Sequence, residues 1–493
     1  MARFPLAGRL RRWFHNQIDS RPQRRLGRRE LLVATALTAA GWGGVAARTA
    51  AARVVVVGAG CAGLVCAYRL QQAGIEARVI EAAERVGGRM FSLRGHFADG
   101  QLAELGGEFV DTRHRPLRRL VHELGLTLID LAAEEEGLEA EVYLFDQKPI
   151  SAASAQSALG SIMPVIRRDL AQLGGWPITC VRPRQAVALD RLSVRDWLDA
   201  RAITGLARQL LAYSCVGEFG LEPERLSALN VLSLFGMTDE EADERYRIAQ
   251  GSDSVPRAIA ARLRRPITFG CTLEALRAHT DGSYRLVVHQ NGGVQEIQAD
   301  RVVLALPFTM LRRVDLQVDL PPRKRRAIAE LGYGTNAKLI AGFQRRLWRE
   351  QKHTGLTLGD SYLLSWEAST GQPGSAGLLT NYLGGEAGAA LLAKPLTARA
   401  EMFVEHLDRI FVGLAGQYTG KAARYGWPQA PFIQASYSCY LPGQYTEIAG
   451  CEAEAVGGIH FAGEHTSLSS QGYMNGACES GERAAREVLT ALR

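Results

Sequence analysis

Gly58, Gly60 and Gly63 follow directly on the run Val54-Val55-Val56-Val57, and an acid, Glu81, stands 18 residues beyond the third glycine. A glycine-rich turn between a β-branched strand and a helix suits one kind of chemistry well. It lets backbone N–H groups close on a phosphate, and the helix that opens at Cys61 and Ala62 adds about half a positive charge at its N-terminus. The acid at the end of the next strand, with Ala82 after it, can accept hydrogen bonds from ribose hydroxyls. Together these residues form a dinucleotide fingerprint.

Further segments extend the chemistry. After the acid comes Glu84-Arg85-Val86-Gly87-Gly88-Arg89, in which a double glycine lets backbone press on a cofactor and two arginines can meet phosphate. Near the C-terminus stand Phe461-Ala462-Gly463-Glu464-His465 and Gln471-Gly472-Tyr473-Met474, the latter at the start of a helix. A helix N-terminus aimed at a flavin ring favours the negative charge that builds there on reduction. Lys338 lies in Gly334-Thr335-Asn336-Ala337-Lys338-Leu339-Ile340, an apolar strand setting where a lysine needs a partner or must snorkel from an edge strand. Tyr437 and Tyr473 offer aromatic faces, which can guide an amine or serve as plain packing.

In order and spacing, residues 53 to 493 resemble the flavin-dependent amine oxidases: monoamine oxidases, polyamine oxidases and L-amino acid oxidases. The likeness rests on the fingerprint with Glu81, the R-x-G-G-R at 85–89, Glu104-Leu105-Gly106-Gly107, Ala305-Leu306-Pro307, Lys338, and the terminal F-A-G-E and G-Y-M. It implies an α/β fold in which a Rossmann-like FAD-binding domain of discontinuous segments interleaves with an α+β substrate-binding domain. Glu81 would hold the adenosine ribose, and Arg85, Gly87, Gly88 and Arg89 would run beside the FAD. Gly106, Gly107 and the neighbouring Glu108 would lie along the isoalloxazine, Leu273 would contact the adenine region, and Gly463, Glu464, Gly472 and Met474 would meet the ribityl or ring end. Lys338 would bind a water that bridges to the flavin nitrogen. Tyr473 and, with one residue of slippage, Tyr437 would form the aromatic cage. The position matching the cysteine that bonds flavin covalently in monoamine oxidases is Ala435, not Cys439, so FAD is expected to be non-covalent.

The resemblance implies oxidative deamination by hydride transfer to flavin, imine hydrolysis, and dioxygen reduction to hydrogen peroxide. An L-amino acid oxidase, a tryptophan-type amino acid 2-monooxygenase and a flavin desaturase or isomerase stand as alternatives. An arginine that clamps a substrate carboxylate commonly follows the second glycine motif closely in the amino acid oxidases. Here Gly107 is followed by Glu108-Phe109-Val110-Asp111-Thr112-Arg113, so the first arginine comes late. Glu108 or Asp111 could attract a cationic amine, although solvation or backbone hydrogen bonding is the commoner use of such residues.

The elements that must position these groups follow from pattern. A β-α-β unit covers 54–80, and a helix ends near Gly125. Residues 150–250 read mostly helical, with a capping box at Ser193 and Asp196. A hairpin turns at Asn291-Gly292-Gly293, and strands are expected near 302–306, 338–341, 362–366, 378–382 and 459–462, with helices near 397–413 and 472–489. The expected division is a leader at 1–52, an FAD-binding domain from 53–130, 252–330 and 425–493, and a substrate-binding domain from 131–251 and 331–424.

The chain has 493 residues, 47% hydrophobic and 22% charged, which suits a globular protein of two or more domains. Its net charge of +7 is unevenly placed. Residues 1–52 hold ten Arg, no Lys and two acids, hence +8, which leaves 48 basic against 49 acidic side chains elsewhere, or −1. That balance argues against a nucleic-acid partner. The leader runs through Arg28-Arg29 into an apolar stretch ending near Ala47 and resembles a twin-arginine export signal. It implies the export machinery as a partner and a periplasmic or extracellular location. An uncleaved anchor and an unstructured leader are the alternatives. The eight cysteines form no C-x-x-C pair and the ten histidines show no metal-ligand spacing, so neither a zinc site nor a disulfide framework is indicated, and most of the cysteines read as buried small apolar residues. The expected partners are a small amine or amino acid and dioxygen, with a homodimer left open.

Overall fold

The computed structural model describes residues 52–236, 241–360 and 362–493. The export-signal reading of the leader therefore lies outside the described residues. No described helix is long and apolar enough to cross a membrane.

Strand Val54–Val57 is buried at all four positions because it has a neighbour on each side and helices over it. It pairs in parallel with Arg78–Ile80 and with Arg301–Leu304, which in turn pairs in parallel with Ile459–Phe461. Four parallel strands share one direction, so their carboxyl ends lie along one edge. That edge carries the glycine turn after Val57, Glu81 after Ile80, Ala305 after Leu304 and Gly463 just past Phe461. Helices Cys61–Gln72 and Met474–Ala491 pack together. Their backbones approach so closely that a Cβ on Gly481 would stand 2.4 Å from the Ala62 carbonyl oxygen.

A seven-stranded sheet, almost wholly antiparallel, forms the second layer. In it Ala337–Phe343 lies between Tyr418–Gly426 and Gly377–Leu383, and all seven of its residues are buried. A hairpin, Val142–Phe145 with Lys148–Ile150, closes the far side of this sheet. The expected hairpin is present as Tyr284–Gln290 and Gly293–Ala299. Asn291 and Gly292 both take positive φ (51° and 76°), as a two-residue turn between twisted strands requires.

The capping box expected at Ser193 and Asp196 starts helix Val194–Ala200, and longer helices span Ala152–Leu173, Gly205–Phe219 and Ala228–Gly236. The mostly helical reading of 150–250 missed Tyr246–Ile248, a strand too short to show a period. It pairs with Phe109–Val110 and Leu128–Asp130, tying together pieces on either side of the boundary expected at 130/131. Strand Tyr418–Gly426 also runs past the boundary expected at 424/425.

All eight cysteines are buried, as packing residues should be. Two are not merely packing. Cys180 and Cys451, 271 residues apart, bring their Sγ atoms to 2.7 Å, a meeting that no sequence spacing announces.

Gly481→Val would drive a branched side chain onto the Ala62 carbonyl, and overpacking of this kind costs about 1–3 kcal/mol. We expect the thermal midpoint of the variant to fall by several degrees in a melting scan, with the wild-type secondary structure retained below it.

Candidate active site

At the carboxyl edge of the parallel sheet lies a cavity of about 510 Å³. One end is a cradle of bare backbone. Gly58 and Gly87 hold φ values of 106° and 102°, and a Cβ on either would stand 2.7 Å from a carbonyl oxygen, of Ala305 and Met90 respectively. The two glycine loops are joined, since the Gly87 N–H donates to the Ala59 carbonyl (2.9 Å). Gly60 faces open space, so any side chain there would project into the cavity. The helix beginning at Cys61 has no side-chain cap and no acid in its first turn, which leaves its N-terminal N–H groups for an anion.

Glu81 accepts from the N–H groups of Ala59 (2.6 Å) and Ala83 (2.9 Å), which fixes its carboxylate at the cavity wall. Burial pushes this carboxyl above its usual range against the pull of those donors. Arg85 donates to the Gly88 carbonyl at 2.8 Å and sits over the Phe91 ring. Arg89 donates to Glu464 (2.8 Å) and to the Ser436 carbonyl (2.7 Å). Glu464 also accepts from Ser438 Oγ and the Gly472 N–H, each at 2.8 Å, so it ties the end of the parallel sheet to the start of the last helix. Burial raises its carboxyl, but Arg89, His465 and Ser438 outweigh burial and hold it below the usual range.

The other end of the cavity is aromatic. Phe109, Trp366, Tyr382, Tyr437 and Tyr473 line it. Trp366 packs against Phe109 and Tyr382 at 5.4 and 5.3 Å between ring centroids. The Tyr437 hydroxyl meets that of Tyr382 (2.9 Å) and donates to the Gly217 carbonyl (3.1 Å). Tyr473 stands at the N-cap of helix Met474–Ala491, edge-on to His114. Both expected tyrosines thus face one cavity. Tyr425 and Trp427 also line the cavity, their ring centroids 4.6 Å apart, with the Trp427 indole donating to the Leu105 carbonyl at 2.9 Å.

Lys338 joins the two ends. It is 4% exposed on an interior strand, which removes the snorkelling alternative. Its Nζ donates to Glu108 Oε2 (2.8 Å) and to the Glu104 carbonyl (3.0 Å) and stands 5.1 Å from the centre of the Trp366 ring. Glu108 is correspondingly not solvated. It is 3% exposed and lies between Lys338 and Arg247 (3.4 Å), so the reading of it as a solvated residue is overturned. Asp111 is buried and accepts from the Glu244 N–H and from Arg113, which fits the backbone-bonded use.

Most of the expected cofactor residues line the cavity: Gly58, Gly60, Cys61, Ala62, Glu81, Ala82, Arg85, Gly87, Gly88, Arg89, Gly106, Gly107, Glu108, Gly463, Glu464, Gly472, Tyr473 and Met474. Gly63 and Leu273 do not. Gly63 packs under the Gly58 carbonyl, the helix–strand contact its glycine permits. Leu273 is buried in strand Cys271–Ala278, paired with Val288, and that strand meets Glu81 through the Cys271 N–H, which donates to the Glu81 carbonyl at 2.9 Å. Sequence reasoning missed Phe109, Asn336, Trp366, Tyr382, Tyr425 and Trp427, whose strands and turns gave no motif. Cys439 does not reach the cavity, and Cys61 at the cradle end is its one cysteine among the described residues.

The comparisons with known proteins agree with this geometry. The profile of flavin-containing amine oxidoreductases matches residues 61–489. The chain belongs to this family. It is 24% identical over 459 residues to an L-amino acid dehydrogenase of Synechocystis, covering 89% of this chain and 95% of the relative. It is 24% identical over 471 residues to flavin-containing amine oxidase A of Bos taurus, covering 89% and 85%. Among solved structures it resembles the cyclohexylamine oxidase of Brevibacterium oxydans (TM-score 0.79, 21% identity, 90% of this chain and 99% of that one). It also resembles a putrescine oxidase (TM-score 0.76, 21% identity, 89% and 99%). The protein is accordingly an FAD-dependent amine oxidoreductase, and the bare cradle, the uncapped helix N-terminus and the Glu81 carboxylate at the cavity wall fit that cofactor.

Glu464→Gln should lower stability at pH 7 by about 3 kcal/mol, since it leaves Arg89 without its buried partner. The wild-type carboxyl sits below its unfolded value. Its contribution is therefore complete above about pH 4.3 and is lost as pH falls through the folded value. The gap in urea midpoint between wild type and variant should therefore be full at pH 7 and narrow as the pH falls through the folded value.

Proposed function

We propose that this protein oxidises a primary or secondary amine whose substituent is apolar or aromatic, in preference to an α-amino acid. The supporting observation is the chamber end of the cavity. It is walled by Phe109, Trp366, Tyr382, Tyr437 and Tyr473, and both guanidinium groups on the cavity lining are engaged at the cradle end. A substrate carboxylate would meet aromatic faces there, whereas an amine with its apolar substituent loses little by leaving water. The amino acid reading keeps its support in the L-amino acid dehydrogenase relative. The activity screen below separates the two.

FAD held by the glycine cradle would supply the hydride acceptor, with dioxygen as the final oxidant and hydrogen peroxide as its product. The residues of the chain prepare that exchange. An alkylammonium has a pKa of about 10.4, so presenting the neutral amine at pH 7 costs about 4–5 kcal/mol in water. A dry aromatic chamber lowers that cost by disfavouring the cation. Tyr473 and Tyr437 offer aromatic faces to the nitrogen from the chamber lining, and Lys338 presents its ammonium to the same cavity. The imine product hydrolyses to a carbonyl compound and ammonia or a smaller amine.

The remaining assignments belong to the same proposal. Non-covalent FAD is favoured because Ala435 stands at the attachment position and Cys439 lies off the cavity. We assign the bulk of 53–130, 252–330 and 425–493 to FAD binding and the bulk of 131–251 and 331–424 to holding the substrate, with strands Tyr246–Ile248 and Tyr418–Gly426 crossing those bounds. The Arg-rich leader suits twin-arginine export of an already folded flavoprotein to the periplasm or medium.

Purified protein should be yellow and release its flavin on denaturation; colour that stays with the chain would refute non-covalent binding. Under anaerobic conditions, arylalkyl or cycloalkyl amines should bleach the flavin faster than any L-amino acid, and the reverse order would reject the amine reading. Lys338→Met should slow bleaching on the order of 10²-fold with FAD still bound.

A further inference from the structure

We propose that Glu108, backed by Arg247, is the positioning residue for Lys338, a role that rests on FAD occupying the cavity as read above. An ammonium has three N–H donors. Here one is taken by the Glu104 carbonyl at 3.0 Å and one by Glu108 Oε2 at 2.8 Å. With two directions pinned, the third follows from tetrahedral geometry, and Lys338 lines the junction of cradle and chamber. The carboxylate therefore decides where the remaining donor points as well as supplying the countercharge that makes a buried ammonium tolerable.

Glu108 is itself held. Its second oxygen faces Arg247 Nη1 at 3.4 Å, and the Arg247 guanidinium is clasped by the carbonyls of Ala368 and Thr370. Those carbonyls follow the strand Leu363–Glu367, which carries Trp366. Arg247 thus links the wall behind Trp366 to the carboxylate that aims Lys338. All three ionic side chains are 5% exposed or less. Glu108 therefore stands between the Lys338 ammonium and the Arg247 guanidinium. The nearby Glu104 carboxyl, pushed up to about 7 by burial, accepts from Ser92 and Ser252 rather than from a cation. With both oxygens facing cations, Glu108 is not available to draw in a substrate ammonium. Its effect on the reaction passes through Lys338.

This arrangement makes a specific prediction about coupling. Glu108→Gln keeps the shape of the side chain and removes its charge. It should slow single-turnover flavin reduction at least tenfold when Lys338 is present and by less than twofold in Lys338→Met. A second readout needs no substrate. The affinity of bound flavin for sulfite, whose anionic adduct responds to nearby cations, should change at least fivefold on Glu108→Gln in the Lys338 chain and less than twofold in the Lys338→Met background. FAD content and thermal midpoint of the loaded proteins serve as controls for a merely structural effect. If Glu108→Gln does not take up FAD, Glu108→Asp and Arg247→Met carry the same test, with smaller effects that again vanish without Lys338. Equal effects in both backgrounds, or none in the Lys338 chain, overturn the proposal. A wild-type protein that binds FAD but is bleached by no amine or amino acid sinks the functional reading alone, because the sulfite cycle still tests Glu108.

Discussion

Placing a lysine ammonium inside a strand buried at every position is the constraint from which the rest of the site follows. A lone cation there would be prohibitively expensive, so the fold must bring it an anion and a carbonyl. Lys338 receives Glu108 and the Glu104 carbonyl from the second glycine segment, 230 and 234 residues earlier in the chain. Glu108 in turn is answered by Arg247 from a third region. Three distant segments therefore have to be in register before the ammonium can be buried at all. The same logic governs Arg89 and Glu464, which bind the double-glycine loop to the start of the terminal helix.

The parallel sheet supplies the other half of the arrangement. Because its four strands run the same way, every loop leaving a carboxyl end opens on the same crevice. The glycine turn, Glu81, the Ala305-Leu306-Pro307 turn and Gly463 are drawn together by direction alone, although they span most of the chain. Close backbone contact then removes side chains where a flat cofactor must lie. Gly58 leans on the Ala305 carbonyl and Gly106 on that of Arg89, so neither position has room for a Cβ.

How much of this was legible in the sequence depended on whether a residue's role is local. Gly58, Gly60 and Glu81 could be recognised because turn, helix start and strand end are set within some 25 residues. The Ser193–Asp196 box and the Asn291-Gly292 turn were legible for the same reason. Glu108 was placed at the cavity but its partners were not foreseen, since nothing adjacent reveals that Lys338 and Arg247 will close on it. Leu273 was placed by pattern on the right kind of strand but at a position whose side chain packs into a sheet. Trp366 and Tyr382 went unnoticed because an aromatic residue in a buried strand looks the same whether it faces a core or a chamber. Cys180 and Cys451 likewise meet only through folding.

The sequence by itself determined the cofactor class and the family, because phosphate and ribose recognition is carried by short-range backbone geometry that few residue types can adopt. Tertiary structure alone decided which charges neutralise one another and which aromatic faces enclose the substrate. Those outcomes depend on side chains hundreds of residues apart meeting within about 3–5 Å, a distance that strand order and helix packing set and that no local pattern encodes.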